Sequence, residues 1–350
     1  MGKQLPSIIV FCPNWVGDVV MATPVFDCLR QNYPGAEITA VIRNYAAGVV
    51  EDGPWFDRII KISDKDIKGF LNAIGRLRSI KADMAIVLPN SFRSALIAFL
   101  GGAEKIYGYK RNFRSVFFKG GPVPLQGKKG IKPVPMVTYY MEICRYLDLS
   151  VPVSPTPGLF FSENIKAQGE DLFKRYGIKQ GDMVIGINPG AKFGASKCWP
   201  PEYFAKLAEL IQEQWKCRIF LFAGPGEDRI AQAVVDASHA EIINTGPDRI
   251  SLSLLKYMIK NLDLLITNDT GPRHYAVAFD LPVVVIMGPT DPEYTAACLE
   301  RTIVVRKENL PCSPCHEKTC PLGHHKCMTE ILPMDILNAC IRILENPKDQ

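Results

Sequence analysis

What the chain lacks narrows its class first. No apolar run can span a bilayer: Ser94–Ala103 is too short, and Ala276–Met287 is broken by Asp280 and Pro282. The opening stretch MGKQLPSIIVFCPNW carries no secretory pattern and passes directly into a patterned fold. Two phosphate-loop signatures are missing. No G-x-x-x-x-G-K-[ST] occurs, and no G-x-G-x-x-G follows the first strand-like run, which counts against an NAD-dependent dehydrogenase. Nor is there a large excess of one charge: 41 basic against 36 acidic residues leave a formal net charge of +5. That excess is too small to argue for a nucleic-acid partner, although it suits an enzyme of phosphorylated substrates. Eleven cysteines without an export signal read as thiols of a reducing cytosol rather than a disulfide framework.

What is present is the rhythm of two α/β domains. A chain of 350 residues exceeds one usual domain, and a hydrophobic fraction of 47% allows substantial cores. Strand-like runs at Ser7–Cys12, Glu37–Ile42, Asp57–Ile62, Met84–Leu88 and Lys105–Tyr109 alternate with helical stretches at Asp18–Tyr33, Asp66–Ile80 and Ser91–Leu100. Buried strands alternating with helices imply a parallel sheet covered on both faces. Lys119–Pro135, rich in Gly, Pro and Lys, reads as a long loop before a helix at Met136–Leu147, and the proline-rich Ser150–Gly158 reads as a linker. The pattern then restarts. Strands are expected at Met183–Asn188, Arg218–Ala223, Glu241–Asn244, Leu262–Thr267 and Val283–Met287, and helices at Pro201–Gln214, Asp228–Ser238, Ser251–Lys260, Pro272–Phe279 and Met334–Glu345. The expected division is residues 1–155, residues 156–332, and a final helix in 333–350 packing back toward the first domain. Ligands of doubly wound sheets bind beyond the carboxyl ends of the strands, so residues just after each strand carry the functional weight.

Four such segments stand out. In CPNWVGDVVMATP, Asp18 opens a helix after Gly17. With a pKa near ~3.9 it is ionised at neutral pH and can accept a proton from a hydroxyl, although an N-cap explains the pattern as well. NPGAKFGASKCWPPEYF offers Lys192 and Lys197 between small residues that let the backbone approach a phosphate; a solvated loop is the bland alternative. TNDTGPRHYAVAFDLP places Asp269, Thr270 and Gly271 at a helix start, with His274 about one turn on. Free N–H groups there favour a diphosphate, while the alternative is a capping turn with a core histidine. In FAGPGEDR, Glu227 can accept ribose hydroxyls or merely begin a helix.

Two further segments are ambiguous or silent. Cys312, Cys315, Cys320 and Cys327, with two, four and six residues between them, could ligate a structural metal, with His316, His324 and His325 nearby; a compact loop of thiols explains them equally. A catalytic metal there is not expected, because the segment has no visible tie to a substrate site. Asp64-Lys65-Asp66 matches a metal-holding D-x-D, but helix capping explains it better.

Taken together and in order, Trp15–Asp18 with Met21, VLPNSFRSAL (Val87–Leu96), PGAKFGASKCWP (Pro189–Pro200), TNDTGPRHYAVA (Thr267–Ala278) and GPTDPEYT (Gly288–Thr295) resemble glycosyltransferase family 9, the ADP-heptose:lipopolysaccharide heptosyltransferases. The resemblance covers nearly the whole chain, and the VLPNSF-[KR]-SAL run is similar to the branch that adds the second heptose. It implies a GT-B fold of two Rossmann-like doubly wound domains facing an interdomain cleft, and an inverting, metal-independent transfer that needs no cofactor. Asp18 falls on the family's catalytic base, and Lys197, Glu227, Asp269, Thr270, Gly271 and His274 on positions that hold the ADP of an ADP-heptose donor. Asp269 would position the donor rather than move a proton. The implied acceptor is the lipid-linked, strongly anionic heptosyl-Kdo inner core, met at the cytoplasmic face of the inner membrane of a Gram-negative bacterium through peripheral contact. Arg93, Lys110, Arg111 and Arg114 are the candidate acceptor contacts, with a solvated basic loop as their alternative.

Some positions depart from the family pattern. Lys192 and Cys198 alter the charge near the donor, and Arg273 stands where relatives carry a small or apolar residue, adding a phosphate contact or reaching solvent. Other readings are heptosyltransferase I or III, another nucleotide-sugar transferase, a nucleotide-sugar epimerase of the same fold, or a non-catalytic binding protein.

Overall fold

A computed structural model describes residues 6–63, 66–127 and 130–345. These residues divide into two compact units at Phe160–Phe161, with Glu293–Ala297 grouped with the first. The first unit runs β1 (Ser7–Phe11), α1 (Val16–Met21), α2 (Thr23–Asn32), β2 (Glu37–Arg43), β3 (Arg58–Ile62), α3 (Ile67–Arg78), β4 (Met84–Val87), α4 (Phe92–Leu100) and β5 (Lys105–Gly108). A short hairpin, β6 (Gln126–Gly127) and β7 (Gly130–Ile131), precedes α5 (Met136–Tyr146). The second unit runs α6 (Glu163–Arg175), β8 (Met183–Asn188), α7 (Pro201–Gln214), β9 (Cys217–Leu221), α8 (Asp228–Asp236), β10 (Ile242–Asn244), α9 (Leu252–Lys260) and β11 (Leu264–Asn268). It ends with α10 (Gly271–Ala278), β12 (Val283–Ile286), β13 (Thr302–Val305), α11 (Lys326–Thr329) and α12 (Pro333–Glu345).

Each unit is built on a parallel sheet. The orders are β3-β2-β1-β4-β5 in the first and β10-β9-β8-β11-β12-β13 in the second. The central strands are apolar along their length because both faces are covered: β11, LLITN, is buried at every position, and β1 and β8 at all but the first. In the first unit Ile9, Phe11, Val41 and Val87 pack on Ala73, Ile74, Leu77 and Ile97 of α3 and α4. In the second, Ile185, Ile187, Ile219 and Ile266 pack on Phe204, Leu207 and Ile211 of α7.

Several elements differ from the sequence reading. The single helix expected over Asp18–Tyr33 is two helices, because Pro24 has no N–H to offer the carbonyl of Val20. The hydroxyl of Thr23 takes that carbonyl instead, at 2.8 Å, and Pro24 sits in the first turn of α2. Strand β13 and helix α6 were not expected. The final helix, α12, belongs to the second unit. Its apolar face, Ile336, Leu337, Cys340 and Ile343, joins the core of the second unit against α7 and β13. Of the D-x-D candidate, Asp64 and Lys65 lie outside the described residues, and Asp66 caps α3 by accepting the Gly69 N–H at 2.6 Å. Among the described residues no helix is long and apolar enough to cross a membrane.

Candidate functional site

Both sheets reverse their winding beside their first strand, between β1 and β4 in one unit and between β8 and β11 in the other. Strand ends diverge at such a point and leave a crevice for ligands. Four segments singled out from the sequence leave these four strand ends: Cys12–Asp18 follows β1, Leu88–Arg93 follows β4, Pro189–Lys197 follows β8 and Asp269–Gly271 follows β11.

In the second unit, Thr267 lies beside Asn188 in register, so the loops after β8 and β11 start side by side. Asn268, fully buried, ties them together: its amide donates to the Pro189 carbonyl at 2.6 Å and its oxygen accepts the Trp199 N–H at 3.2 Å. Asp269 then faces three donors. Oδ2 accepts from Lys197 Nζ at 2.6 Å and Thr290 Oγ1 at 2.7 Å, and Oδ1 accepts from Arg273 at 2.9 Å. Burial alone would raise this carboxyl, but the Arg273 guanidinium, the Lys197 ammonium and the Thr290 hydroxyl hold it well below the usual carboxylate range. One carboxylate between two cations leaves one positive charge over. Beside it α10 begins at Gly271, after Thr270, with N–H groups free of intrahelical partners, so an anion is favoured at this point twice over. Burial first, and then the Arg273 guanidinium, hold the His274 imidazole down at about 3, so it is neutral at physiological pH.

Glu227 closes the cradle from β9. Its Oε2 accepts the Gly224 N–H at 2.7 Å, and its carboxyl lies over Gly190, where an added Cβ would stand 2.1 Å from Glu227 Cδ. Burial raises its carboxyl, while the Gly224 N–H and Lys192 work the other way. Only glycine at 190 allows this approach.

The cysteine segment, expected to have no tie to the site, braces it. Ser196, the neighbour of Lys197, donates its N–H to the Lys318 carbonyl at 3.0 Å and its hydroxyl to the Glu317 carbonyl, and its own carbonyl accepts from His325 Nε2 at 2.8 Å. Two residues before Thr290, the Gly288 carbonyl accepts the Ser313 hydroxyl at 2.7 Å, and the Pro289 carbonyl accepts the N–H groups of Cys315 and His316. Residues 313–325 thus hold both loops that supply partners to Asp269. Among the described residues no disulfide forms, and no three His, Cys, Asp or Glu side chains are grouped to hold a metal ion.

In the first unit Asp18 is not the cap of its helix. Trp15 occupies that position, and Asp18 lies half-buried in the first turn, where Oδ1 accepts the Tyr140 hydroxyl from α5 at 3.1 Å. The same strand end carries Asn14, whose side-chain oxygen accepts from Arg43 Nε at 3.1 Å and whose carbonyl accepts from Tyr45. Of the basic candidates, Lys110 is exposed and Arg111 half-buried. Arg93 is half-buried, stacks 4.9 Å over Phe70 and donates to the Asp66 carbonyl. Arg114 is a correction: it is fully buried, donates to the Pro89 carbonyl and to Asn90 Oδ1, and holds the loop after β4 rather than a surface ligand. Arg273 is 1% exposed, so neither solvent nor a first contact with phosphate is its role; it pairs with Asp269. Tyr140, Arg43, Thr290 and Ser196 are not singled out by the sequence reading, and His325 enters it only as a potential metal ligand. The i,i+4 spacing of Asp269 and Arg273 is the one signal that could have flagged a pair.

The profile of glycosyltransferase family 9 (heptosyltransferase) matches residues 71–326. Lipooligosaccharide heptosyltransferase 2 of Campylobacter jejuni is 25% identical over 97% of this chain and 99% of its own length. Lipopolysaccharide heptosyltransferase 2 of Escherichia coli is 27% identical over 95% and 96%. The crystal structure of a glycosyltransferase family 9 protein from Veillonella parvula superposes with a TM-score of 0.83 at 24% identity, covering 99% of each chain.

Proposed function

The chain belongs to glycosyltransferase family 9 and has its two-domain Rossmann-like fold, and from that membership we propose that it transfers heptose from ADP-heptose to the heptosyl-Kdo inner core of lipopolysaccharide. The observation that carries the reading is the charged cradle at the β8/β11 switch point: Lys197, Arg273 and the start of α10 around a single carboxylate. Such a site suits a nucleoside diphosphate, and the relatives named heptosyltransferase 2 support the second-heptose step.

The transfer is a single displacement with inversion. Asp18, oriented by Tyr140, accepts the proton of an acceptor hydroxyl. The oxygen forms its bond to the anomeric carbon as the bond from that carbon to the β-phosphate oxygen breaks, and ADP departs with the electron pair. Lys197 and the N–H groups at Thr270–Gly271 take up the growing diphosphate charge, the task a divalent cation performs in other transferases, so the reaction runs without a metal. Asp269 keeps Lys197 aimed, and Glu227 holds the ribose side. Arg93, Lys110 and Arg111 meet the anionic acceptor, and the reaction takes place at the cytoplasmic face of the inner membrane.

The test is turnover of purified enzyme with ADP-heptose and defined truncated cores, with and without EDTA. Transfer onto a core bearing one heptose, unaffected by chelator, is expected. Asp18→Asn should lower kcat by roughly 10²–10⁴-fold, the usual contribution of a general base. Turnover only on a heptose-free core, or near-normal turnover by Asp18→Asn, would overturn the assignment.

A further inference from the structure

The small net charge of the whole chain conceals a strongly polarised stretch. Between Met84 and Met141 there are nine Lys or Arg residues and a single acid, Glu104. The same stretch exposes large apolar side chains. Phe113 is 93% exposed and Val116 80%, while Phe92 and Phe99 on α4 are 47% and 52% exposed. These are not scattered. Phe92 and Phe99 stand two turns apart on one side of α4, and both meet Phe117, with ring centroids 5.3 and 5.2 Å away. Phe113 and Val116 belong to the same turn as Phe117.

The backbone is bent to make this display. Asn112 and Phe113 both take left-handed conformations, φ 56° and 58°, which a bulky aromatic residue ordinarily avoids. Asn112 is fixed there by donating to the Asn90 carbonyl at 2.9 Å. A fold that accepts an unfavourable backbone in order to put a phenylalanine into water has a use for it.

We infer that this face, Phe92, Phe99, Phe113 and Val116, with Lys110, Arg111 and Lys119 flanking its projecting turn in sequence, docks on the surface of an anionic lipid bilayer. Aromatic side chains on a projecting turn enter the headgroup region, and the flanking cations are drawn to acidic lipids. A second copy of the chain fits poorly, since two such faces would oppose like charges across the contact. The inference rests on the reading that the acceptor is carried on a lipid, which brings the enzyme to that surface.

The experiment is co-sedimentation of the full-length protein with vesicles of phosphatidylethanolamine and phosphatidylglycerol, against vesicles of phosphatidylcholine alone, neither containing acceptor. Binding to the anionic vesicles, weakening as salt is raised, is expected. Phe113→Ser with Val116→Ser should lower the partition coefficient on the order of tenfold, and Lys119→Ala about fivefold, with thermal unfolding and transfer to a water-soluble deacylated core unchanged. Equal partition onto both vesicle types, or full retention of binding by the variants, overturns the inference. So does a dimer in sedimentation velocity that these substitutions dissolve while vesicles bind nothing. A wild type that binds anionic vesicles but transfers no sugar would refute the transferase reading and leave the docking face supported.

Discussion

Asp269 is where the charge of the second unit is decided. It is 7% exposed and faces Lys197 and Arg273 at hydrogen-bond distance, with Arg273 only 1% exposed. Replacing it by Asn leaves the buried Arg273 and the half-buried Lys197 without their anion, a change that costs about 3–5 kcal/mol when one partner of a buried pair is lost. Denaturant titration of Asp269→Asn should report a loss of that order, and a variant as stable as the parent would mean that the ionic network is not formed. His274 gives a pH test. Its imidazole sits near 3 in the folded protein against about 6.5 in an unfolded chain. The unfolded chain therefore binds the proton first, and stability is lost as pH falls below about 6.5 until the folded group titrates as well. Between about pH 7 and pH 5 the penalty is on the order of 2 kcal/mol. His274→Asn should flatten the decline in stability over that interval, whatever its effect at neutrality; an unchanged slope would show that the imidazole is not held neutral. Asp269 stood out in the sequence because it directly follows a strand, Lys197 because it lies in a loop of small residues after one, and His274 because it lies about a turn into the following helix. The sequence misled at Arg114, because nothing in YGYKRNFRS marks which guanidinium turns inward to Asn90 and which stays at the surface.

At the scale of elements, the brace formed by residues 313–325 makes the most direct prediction. The Lys197 loop leans on it through Ser196, which gives two donors and receives one from His325. Ser196→Ala combined with His325→Ala should raise KM for the donor roughly tenfold, as expected for the loss of two hydrogen bonds of about 0.5–1.5 kcal/mol each partly compensated by water, while kcat changes little. A lowered melting temperature with KM unaltered would reduce the segment to a structural loop. Its attachment was illegible in the sequence for a physical reason: the contacts run to the carbonyls of Lys318, Glu317, Gly288 and Pro289, and main-chain groups leave no side-chain signature. The other misses have similar causes. Helix α6, ENIKAQGEDLFKR, buries only Gly169 and Leu172, so its apolar stripe is too faint to stand out. Strand β13 has four residues and follows an irregular stretch. Conversely, β1, β8 and β11 were plain in the sequence because a strand covered on both faces must be apolar throughout.

At the scale of the molecule, two sheets each supply one switch point, and the segments carrying Asp18, Lys197 and Asp269 leave strands that flank those points. The fold class was legible because alternation of strand and helix is a long-range pattern that single residues cannot disturb; the pairing of side chains across loops was not, because it depends on angles that spacing does not encode. The division of chemistry between the units then yields a separable prediction. A ligand that binds only the folded state stabilises it by mass action, about 2.7 kcal/mol at a hundredfold excess over Kd. For units of this size that corresponds to a rise in melting temperature of about 5–10 °C. ADP should raise the melting temperature of the parent and of Asp18→Asn alike, since the Asp18 carboxylate belongs to the first unit and is held by Tyr140 rather than by the charged cradle. Lys197→Met should lose most of that rise at the same ADP concentration, because the ammonium that Asp269 aims is the cation most directly offered to the diphosphate. If Asp18→Asn abolished the ADP shift and Lys197→Met preserved it, the two units would have exchanged the roles proposed for them, and the single-displacement scheme built on an acceptor base in the first unit would fail.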